Sequence, residues 1–307
     1  MKITICTPTY NEKENIELLY SKIKDLFTKL DCEYEHLVID NNSNDGTIEV
    51  LKKIASNDKK FKVIINSKNY GHIKSPFHGL LQTDSDATIL MAADFQDPIE
   101  LIPQYIEKWK SGSKIVLAKK KASEENKIIF SIRSFFYKFL NSISDNNLTL
   151  DTTGSGIFDR KVIEKLKEIN DPLPYFRGLI TELGFDINYV EFNQPKRNLG
   201  KTKNNIFTLY DIAMLGIVKH SRKPLRFMVL IGFFASVSCL LISLIYFIYK
   251  LIYWNSFSLG IAPIVIGIFF ISSIQITLLG LVGEYIGIIL IHQRNMPIVV
   301  EKERLNF

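Results

Sequence analysis

Cysteine is scarce in this 307-residue chain, and the three present, Cys6, Cys32 and Cys239, show no metal-ligand spacing. They read as packing residues in a reducing compartment. The N-terminal stretch MKITICTPTY has one lysine and turns polar at once, so it lacks the long apolar region of a secretory signal. The large N-terminal part is expected to stay on the side where it is made. Charge is nearly absent from two stretches, Phe227 to Tyr249 and Leu259 to Val282, each longer than the roughly 20 residues a helix needs to cross a bilayer core. Two membrane-spanning helices are expected there. Between them, Lys250 to Ser258 has little positive charge, whereas Lys219, Arg222, Lys223 and Arg226 precede the first span and Arg294, Lys302 and Arg304 follow the second. The positive-inside bias therefore puts both termini in the cytoplasm. The net charge of +6 sits largely beside these spans, where anionic lipid accounts for it, and nucleic-acid binding is not expected.

The remainder, 47% hydrophobic overall, has ample apolar content for a packed core. KITICTPTY, YEHLVID, FKVIINS and ATILMAA read as strands. NEKENIELLYSKIKDLF, with Asn11 as N-cap, IEVLKKIAS and SPFHGLLQT read as helices. This alternation predicts an α/β domain, a mostly parallel sheet covered on both faces, with ligands beyond the carboxyl ends of the strands. Three loops at that edge carry the suggestive chemistry: TPTYNEKEN, DNNSNDGT and ADFQDP. Turn and cap preferences account for the Asn, Asp, Ser and Gly residues of any one of them. Carboxylates and amides gathered on one edge by three separate loops favour a site.

Taken in order, TPTYNEKENI, VIDNNSNDGT and MAADFQDPIE resemble the inverting nucleotide-sugar glycosyltransferases of family 2, which have a GT-A, Rossmann-like fold. NYGHIKSPFHGL, LPYFRGLITELGF, RNLGKTKNN, HSRKPLRF and GEYIG make the chain more similar to the polyprenyl-phosphate glycosyltransferases around dolichyl-phosphate mannose synthase, with two C-terminal spans. The resemblance implies a catalytic domain over 1–204, an amphipathic juxtamembrane helix over 205–224, a two-helix transmembrane hairpin over 225–292 and a cytoplasmic tail over 293–307. It places the protein in a bacterial cytoplasmic (inner) membrane, multi-pass, with the catalytic domain inside.

Site roles follow from the same resemblance. Pro8, Tyr10, Glu12 and Asp40 would line the pocket for the base and ribose of a UDP- or GDP-linked sugar, together with Asp94 and Gln96. Asp94, Gln96 and Asp97 would hold Mg²⁺ or Mn²⁺ against the donor phosphates, with hard oxygen ligands as such ions require. The family pattern is Asp-x-Asp-x-Gln, and Ala92 stands at the first Asp. Asp97-Pro98 also suits the start of a helix PIELIPQYIEKW, with Asp97 as its cap, which leaves Asp94 the better metal ligand. Arg133, Arg177, Arg197, Lys201 and Lys203 are the candidates for the acceptor phosphate, and Arg133 and Arg197 with Asp94 and Asp97 form the catalytic set. KIIFSIRSFFYKFL and NIFTLYDIAMLGIVKHSRK suit helices lying on the bilayer; a core helix with a snorkelling arginine is the rival for the first. Glu284 reads as an interfacial anchor at the end of the second span.

The implied reaction moves a sugar from a nucleotide sugar to polyprenyl (undecaprenyl) phosphate with inversion, for cell-envelope glycan synthesis. The family's Gly-Asp-Phe segment, which often places an acid near the acceptor, aligns approximately with GSGIF, so Ser155 replaces that acid. A phosphate acceptor is already anionic and does not need a base there. Two alternatives remain at this point: transfer onto a hydroxyl of a lipid-linked or growing glycan, and a non-catalytic nucleotide-binding scaffold. Assembly as a homo-oligomer is also left open.

Overall fold

Strand and helix alternate from the start of the chain. β1 (Lys2–Thr9) is followed by α1 (Lys13–Phe27), β2 (Glu33–Asp40) by α2 (Thr47–Asn57), β3 (Phe61–Asn66) by α3 (Gly71–Leu81), and β4 (Ala87–Leu90) by α4 (Leu101–Lys110). Then come β5 (Ile115–Ser123), β6 (Thr152–Asp159), α5 (Arg160–Glu168), α6 (Phe176–Glu182) and β7 (Ile187–Gln194). Two long helices, α7 (Lys223–Ile252) and α8 (Ile261–Gln293), precede a last strand, β8 (Glu301–Leu305). The computed structural model describes residues 1–123, 152–169, 171–195, 214–215, 218–219, 223–253, 261–294 and 296–307. Most of the expected juxtamembrane helix, the KIIFSIRSFFYKFL stretch, and Arg133, Arg197, Lys201 and Lys203 lie outside these residues.

The eight strands form one sheet in the order β7-β5-β6-β4-β1-β2-β3-β8. β1 pairs in parallel with β2 and β4, and β2 with β3. β6 runs antiparallel to β4 and β5, and β8 antiparallel to β3. β1 is central and buried on both faces, which is why it reads as a near-continuous β-branched run rather than an alternating one. The chain winds outward from β1 to β3 and returns to β1's other side as β4, so the direction of winding reverses between β1 and β4. That reversal opens a crevice at the carboxyl ends of the two strands.

Helix packing closes the faces. α1 buries Ile16, Leu19, Ile23 and Phe27, one apolar stripe at helical spacing, against the sheet. Phe77 and Leu80 of α3 pack with Phe158, Val162 and Leu166 in a second cluster. Cys6 is fully buried in β1 and its thiol pKa is pushed up to about 12 by that burial, so it is an inert packing residue as its spacing suggested. Gly156 permits the closest approach within the sheet, because a Cβ there would lie 2.2 Å from the Val116 carbonyl oxygen.

Several expected boundaries move. Asn11 does not cap α1: the helix starts at Lys13 with Glu12 in the cap position, and Asn11 adopts φ 56° with its side chain turned to another loop. α4 begins at Leu101 rather than Pro98, and Asp97 is not its cap. α3 starts at Gly71, ahead of the expected SPFHGLLQT, and accommodates Pro76 within it. The tail over 293–307 contains β8, which completes the sheet.

Among the described residues, one stretch, Ile274–Gln293 in α8, is long and apolar enough to cross a membrane by length and composition. The helix that contains it continues without interruption to Gln293, and Glu284 lies within that helix. α7 contains the other expected span, and its Phe227, Val229, Phe233, Phe234, Leu244 and Ile245 are exposed.

Candidate active site

The register of β1 on β2 pairs Thr9 with Asp40, so the loops that follow leave the sheet side by side. They are cross-linked by polar groups. Asn11 donates through Nδ2 to Asn44 Oδ1 and accepts through Oδ1 from the Asn44 backbone N–H, both at 2.9 Å. The Asn11 backbone N–H donates to Ser43 Oγ at 2.8 Å, and that of Glu12 to Thr47 Oγ1 at 3.1 Å. Asp45 accepts from the Lys13 and Thr47 backbones; burial alone would raise its pKa, but these bonds and the Thr47 hydroxyl hold it below the usual carboxylate range. Gly46 takes the left-handed φ of 94° that turns the chain into α2.

Asp40 is fully buried at the end of β2. Its Oδ1 accepts from Ser43 N–H at 2.8 Å and its Oδ2 from Ser43 Oγ at 2.5 Å and Thr9 Oγ1 at 3.3 Å. Burial raises its pKa, opposed by those bonds. Pro8 and Tyr10 are half-buried beside it. Glu12 Oε2 accepts from Asn15 Nδ2 at 2.7 Å, which ties that side chain to the first turn of α1.

The third loop follows β4, whose end meets β1 through the Met91 N–H to Cys6 carbonyl bond. Asp94 is half-buried and its Oδ1 accepts from the Gln96 N–H at 3.2 Å. Phe95 between them adopts φ 57°, an uncommon conformation for a bulky side chain. Asn11, Asn42 and Phe95 are the non-glycine residues with positive φ in this region, one in each of the three loops. Such strain collects where a surrounding framework fixes a functional backbone.

Asp97 points away from the cap role. It is buried, and burial pushes its pKa up to about 6; Thr153 and Ser155 hydroxyls and Lys120 oppose the rise, while Asp94 adds to it. Among the described residues no donor completes a hydrogen bond to its Oδ1. Ser155, the residue at the position of the expected acid, gives its proton to the Leu90 carbonyl at 2.7 Å. Arg177 of α6 reaches the same strand, donating from Nη2 to the Thr153 carbonyl at 3.4 Å. The loop 94–97, β6 and Arg177 thus meet at one place. No three His, Cys, Asp or Glu side chains converge on a metal position among the described residues. The oxygen-only set of Asp94, Gln96 and Asp97 nevertheless fits a hard divalent ion, which would relieve the repulsion between the two carboxylates.

Three asparagines outside the expected site tie the neighbouring strand ends together. Asn41, Asn66 and Asn69 link the ends of β2 and β3 to the start of α3: Asn66 Nδ2 donates to Asn41 Oδ1 at 3.1 Å, and Asn41 Nδ2 to Asn69 Oδ1 at 2.8 Å. Their only trace in the sequence is asparagine at three strand ends and turns, which ordinary turn chemistry also produces.

Comparison with known proteins bears on this geometry. The family model described as glycosyl transferase family 2 matches residues 4–167. The prophage-derived bactoprenol glucosyl transferase of Shigella flexneri phage SfII is 30% identical over 304 residues, covering 99% of this chain and 98% of that protein. A prophage bactoprenol glucosyl transferase homolog of Escherichia coli is 30% identical over 305 residues, with 97% of each chain covered. Among solved structures, glucosyl-3-phosphoglycerate synthase of Mycobacterium tuberculosis in complex with UDP has a TM-score of 0.50 at 18% identity, covering 71% of this chain and 78% of that one. The structural likeness shows a shared GT-A-like fold, and the family match with the full-length relatives shows that this chain belongs to glycosyl transferase family 2 and is a glycosyltransferase.

Proposed function

We propose that this protein transfers a sugar from a UDP- or GDP-linked donor to a polyprenyl phosphate with inversion, at the cytoplasmic face of a membrane. The carrying observation is the reversal of winding between β1 and β4: beyond it lie the loops after β1 and β2, cross-linked to each other and carrying Asp40, and the loop after β4 with Asp94, Gln96 and Asp97, the last beside β6, where Arg177 also reaches. The bactoprenol named in the relatives supports the acceptor class.

Pro8, Tyr10 and the Asp40 strand end form the base side of the donor pocket. Glu12, held to α1 by Asn15, borders it. Asp94, Gln96 and Asp97 would hold Mg²⁺ or Mn²⁺, which when bound supplies positive charge to the departing diphosphate. A lipid phosphate oxygen forms the new bond to the anomeric carbon from the face opposite the leaving group, and the bond from that carbon to the diphosphate oxygen breaks. The attacking oxygen brings no proton, so no base is required. Ser155 fits that requirement, since a serine hydroxyl is not a base at neutral pH. Arg177 belongs to the acceptor side; Arg133, Arg197, Lys201 and Lys203 are assigned to phosphate binding on sequence grounds. Positioning and charge then carry most of the catalysis.

Two membrane crossings are part of the same proposal. The catalytic domain precedes α7 and α8 and β8 follows them, yet β8 and the strands of the catalytic domain form one sheet. If α8 crosses the bilayer, an even number of crossings is needed to bring β8 back, and α7 supplies the second.

The test is a donor screen of the purified protein with undecaprenyl phosphate, with and without divalent metal. Sugar transfer into an organic-extractable product, dependent on metal, is expected. Absence of transfer from every UDP- and GDP-sugar, with lipid and metal supplied, sinks the proposal. Transfer only to a glycan hydroxyl would reassign the acceptor.

A further inference from the structure

β8 is a strand of the catalytic sheet supplied by the residues that follow α8. Its pairing with β3 runs from Leu305 opposite Val63 to Glu301 opposite Asn66, with an irregularity between Ile65 and Asn66. The Ser67 N–H donates to the Val300 carbonyl at 2.9 Å just beyond. Side chains extend the seat. Glu301 pairs with His78 of α3 and Glu303 with Lys52 of α2, each at 2.6 Å. Asn306, at φ 62°, donates from Nδ2 to the carbonyls of Ala55, Asp58 and Phe61. Leu305 packs on the main core, and Val299 is buried.

An edge strand needs some cover, and covering β3 would be reason enough for β8. The details at its far end go further. The irregularity falls at Asn66, which is fully buried and whose Nδ2 donates to both Asn41 Oδ1 and Ser75 Oγ. Asn41 Oδ1 also accepts from the Tyr70 N–H at 2.8 Å, and Asn41 Nδ2 reaches Asn69 and the Gly71 carbonyl. Asn41 directly follows Asp40. A continuous path therefore runs from β8, through its backbone pairing at Asn66 and the Asn66–Asn41 side-chain bond, to Asp40, the chain neighbour of Asn41, at the base side of the crevice.

We propose that the C-terminal strand is a positioning element for the donor: its seat on β3 fixes Asn66, Asn66 fixes Asn41, and Asn41 fixes the turn beyond Asp40 against which the nucleotide base rests. Because β8 continues from the apolar helix α8, membrane anchorage and the shape of the nucleotide pocket are mechanically joined. This inference rests on the reading of the Asp40 edge as the donor-base pocket. A merely structural strand would lower the melting temperature and leave relative substrate affinities alone. A positioning strand changes donor affinity and spares the acceptor.

The test uses the full-length protein in lipid nanodiscs in four forms: unaltered, deleted for residues 301–307, Asn66→Ala, and both changes together. Binding of UDP and GDP is measured by calorimetry, and KM for donor and for undecaprenyl phosphate by transfer assay. The deletion and Asn66→Ala are each expected to weaken nucleotide binding about tenfold and raise donor KM alike, with acceptor KM changed less than about twofold. Combined, they are expected to do no more than the stronger alone, the mark of one pathway. Asn306→Ala, which loosens the strand without removing it, is the second probe should the deletion not fold, with nucleotide binding about threefold weaker. Unchanged nucleotide affinity in a folded deletion or in Asn306→Ala, or independent multiplying effects of the deletion and Asn66→Ala, overturns the inference. Failure of the unaltered protein to bind either nucleotide overturns the donor-pocket reading as well, which separates the two failures.

Discussion

Asn11 and Asn44 exchange two hydrogen bonds of 2.9 Å, one from side chain to side chain and one from backbone to side chain, and so join the loop after β1 to the loop after β2. Because Asn11 sits at φ 56°, the pair also retains a backbone conformation that most residues avoid. Asn11→Ala removes both bonds and places a Cβ-bearing residue with no compensating amide in that conformation. A loss of about 1–3 kcal/mol and a rise in donor KM are expected from thermal melts and transfer assays. Asn11→Gly, which relieves the backbone alone, should recover part of the stability and little of the donor affinity.

Asp94 is the carboxylate proposed to hold the metal at the donor phosphates. Asp94→Asn keeps the shape and removes the charge. Transfer is expected to fall at least about 100-fold, with the metal concentration for half-maximal activity raised, as for loss of a charged oxygen ligand. Titrations of Mn²⁺ and Mg²⁺ at saturating donor read this out; full activity in the variant would remove Asp94 from the metal site.

The pH dependence of stability is set in part far from the crevice. His36 on β2 is 1% exposed, with Nε2 2.9 Å from Thr7 Oγ1 and its ring edge against Phe61. Burial pushes its pKa from 6.5 down to about 3. The folded protein thus keeps His36 neutral where the unfolded chain takes a proton. Its contribution is complete above about pH 6.5 and is lost as pH falls towards 3, amounting to about 2 kcal/mol by pH 5. His36→Gln, neutral throughout, is expected to show a smaller drop in melting temperature between about pH 7.5 and pH 5 than the unaltered protein.

The two proposed crossings would place the α7–α8 connection across the membrane from the catalytic domain. A cysteine introduced at Tyr253 is expected to react with a membrane-impermeant thiol reagent added outside intact cells, and one at Lys302 only after the membrane is opened. Equal protection of both from outside would contradict the crossing of α7.

Some of the site could be read in the chain because local chemistry writes it there. TPTYNEKEN, DNNSNDGT and ADFQDP follow strands, and strand ends can be recognised from where apolar β-branched runs stop. Once the sheet is parallel, those ends share an edge. Asp97 was less legible: Asp-Pro before an apolar run has the pattern of a helix start, yet the helix begins three residues beyond Pro98 and the carboxylate is buried beside Thr153 and Ser155. The competing partner lies on a strand more than fifty residues away, and no local window contains it. Asn11 was misread for the same reason, since its cap position lost to a partner in the next loop.

By itself the sequence determined the α/β alternation, the apolar C-terminal helices and the three polar loops, because strand burial, helical periodicity and turn chemistry act over neighbouring residues. Tertiary structure alone decided that β8 returns to the edge of β3, that β6 runs antiparallel beside β4, and that Asn41 and Asn66 meet. Those pairings join residues separated by long stretches of chain. They are selected by which sheet edge remains uncovered and which buried amides need partners, and neither is written in the local pattern.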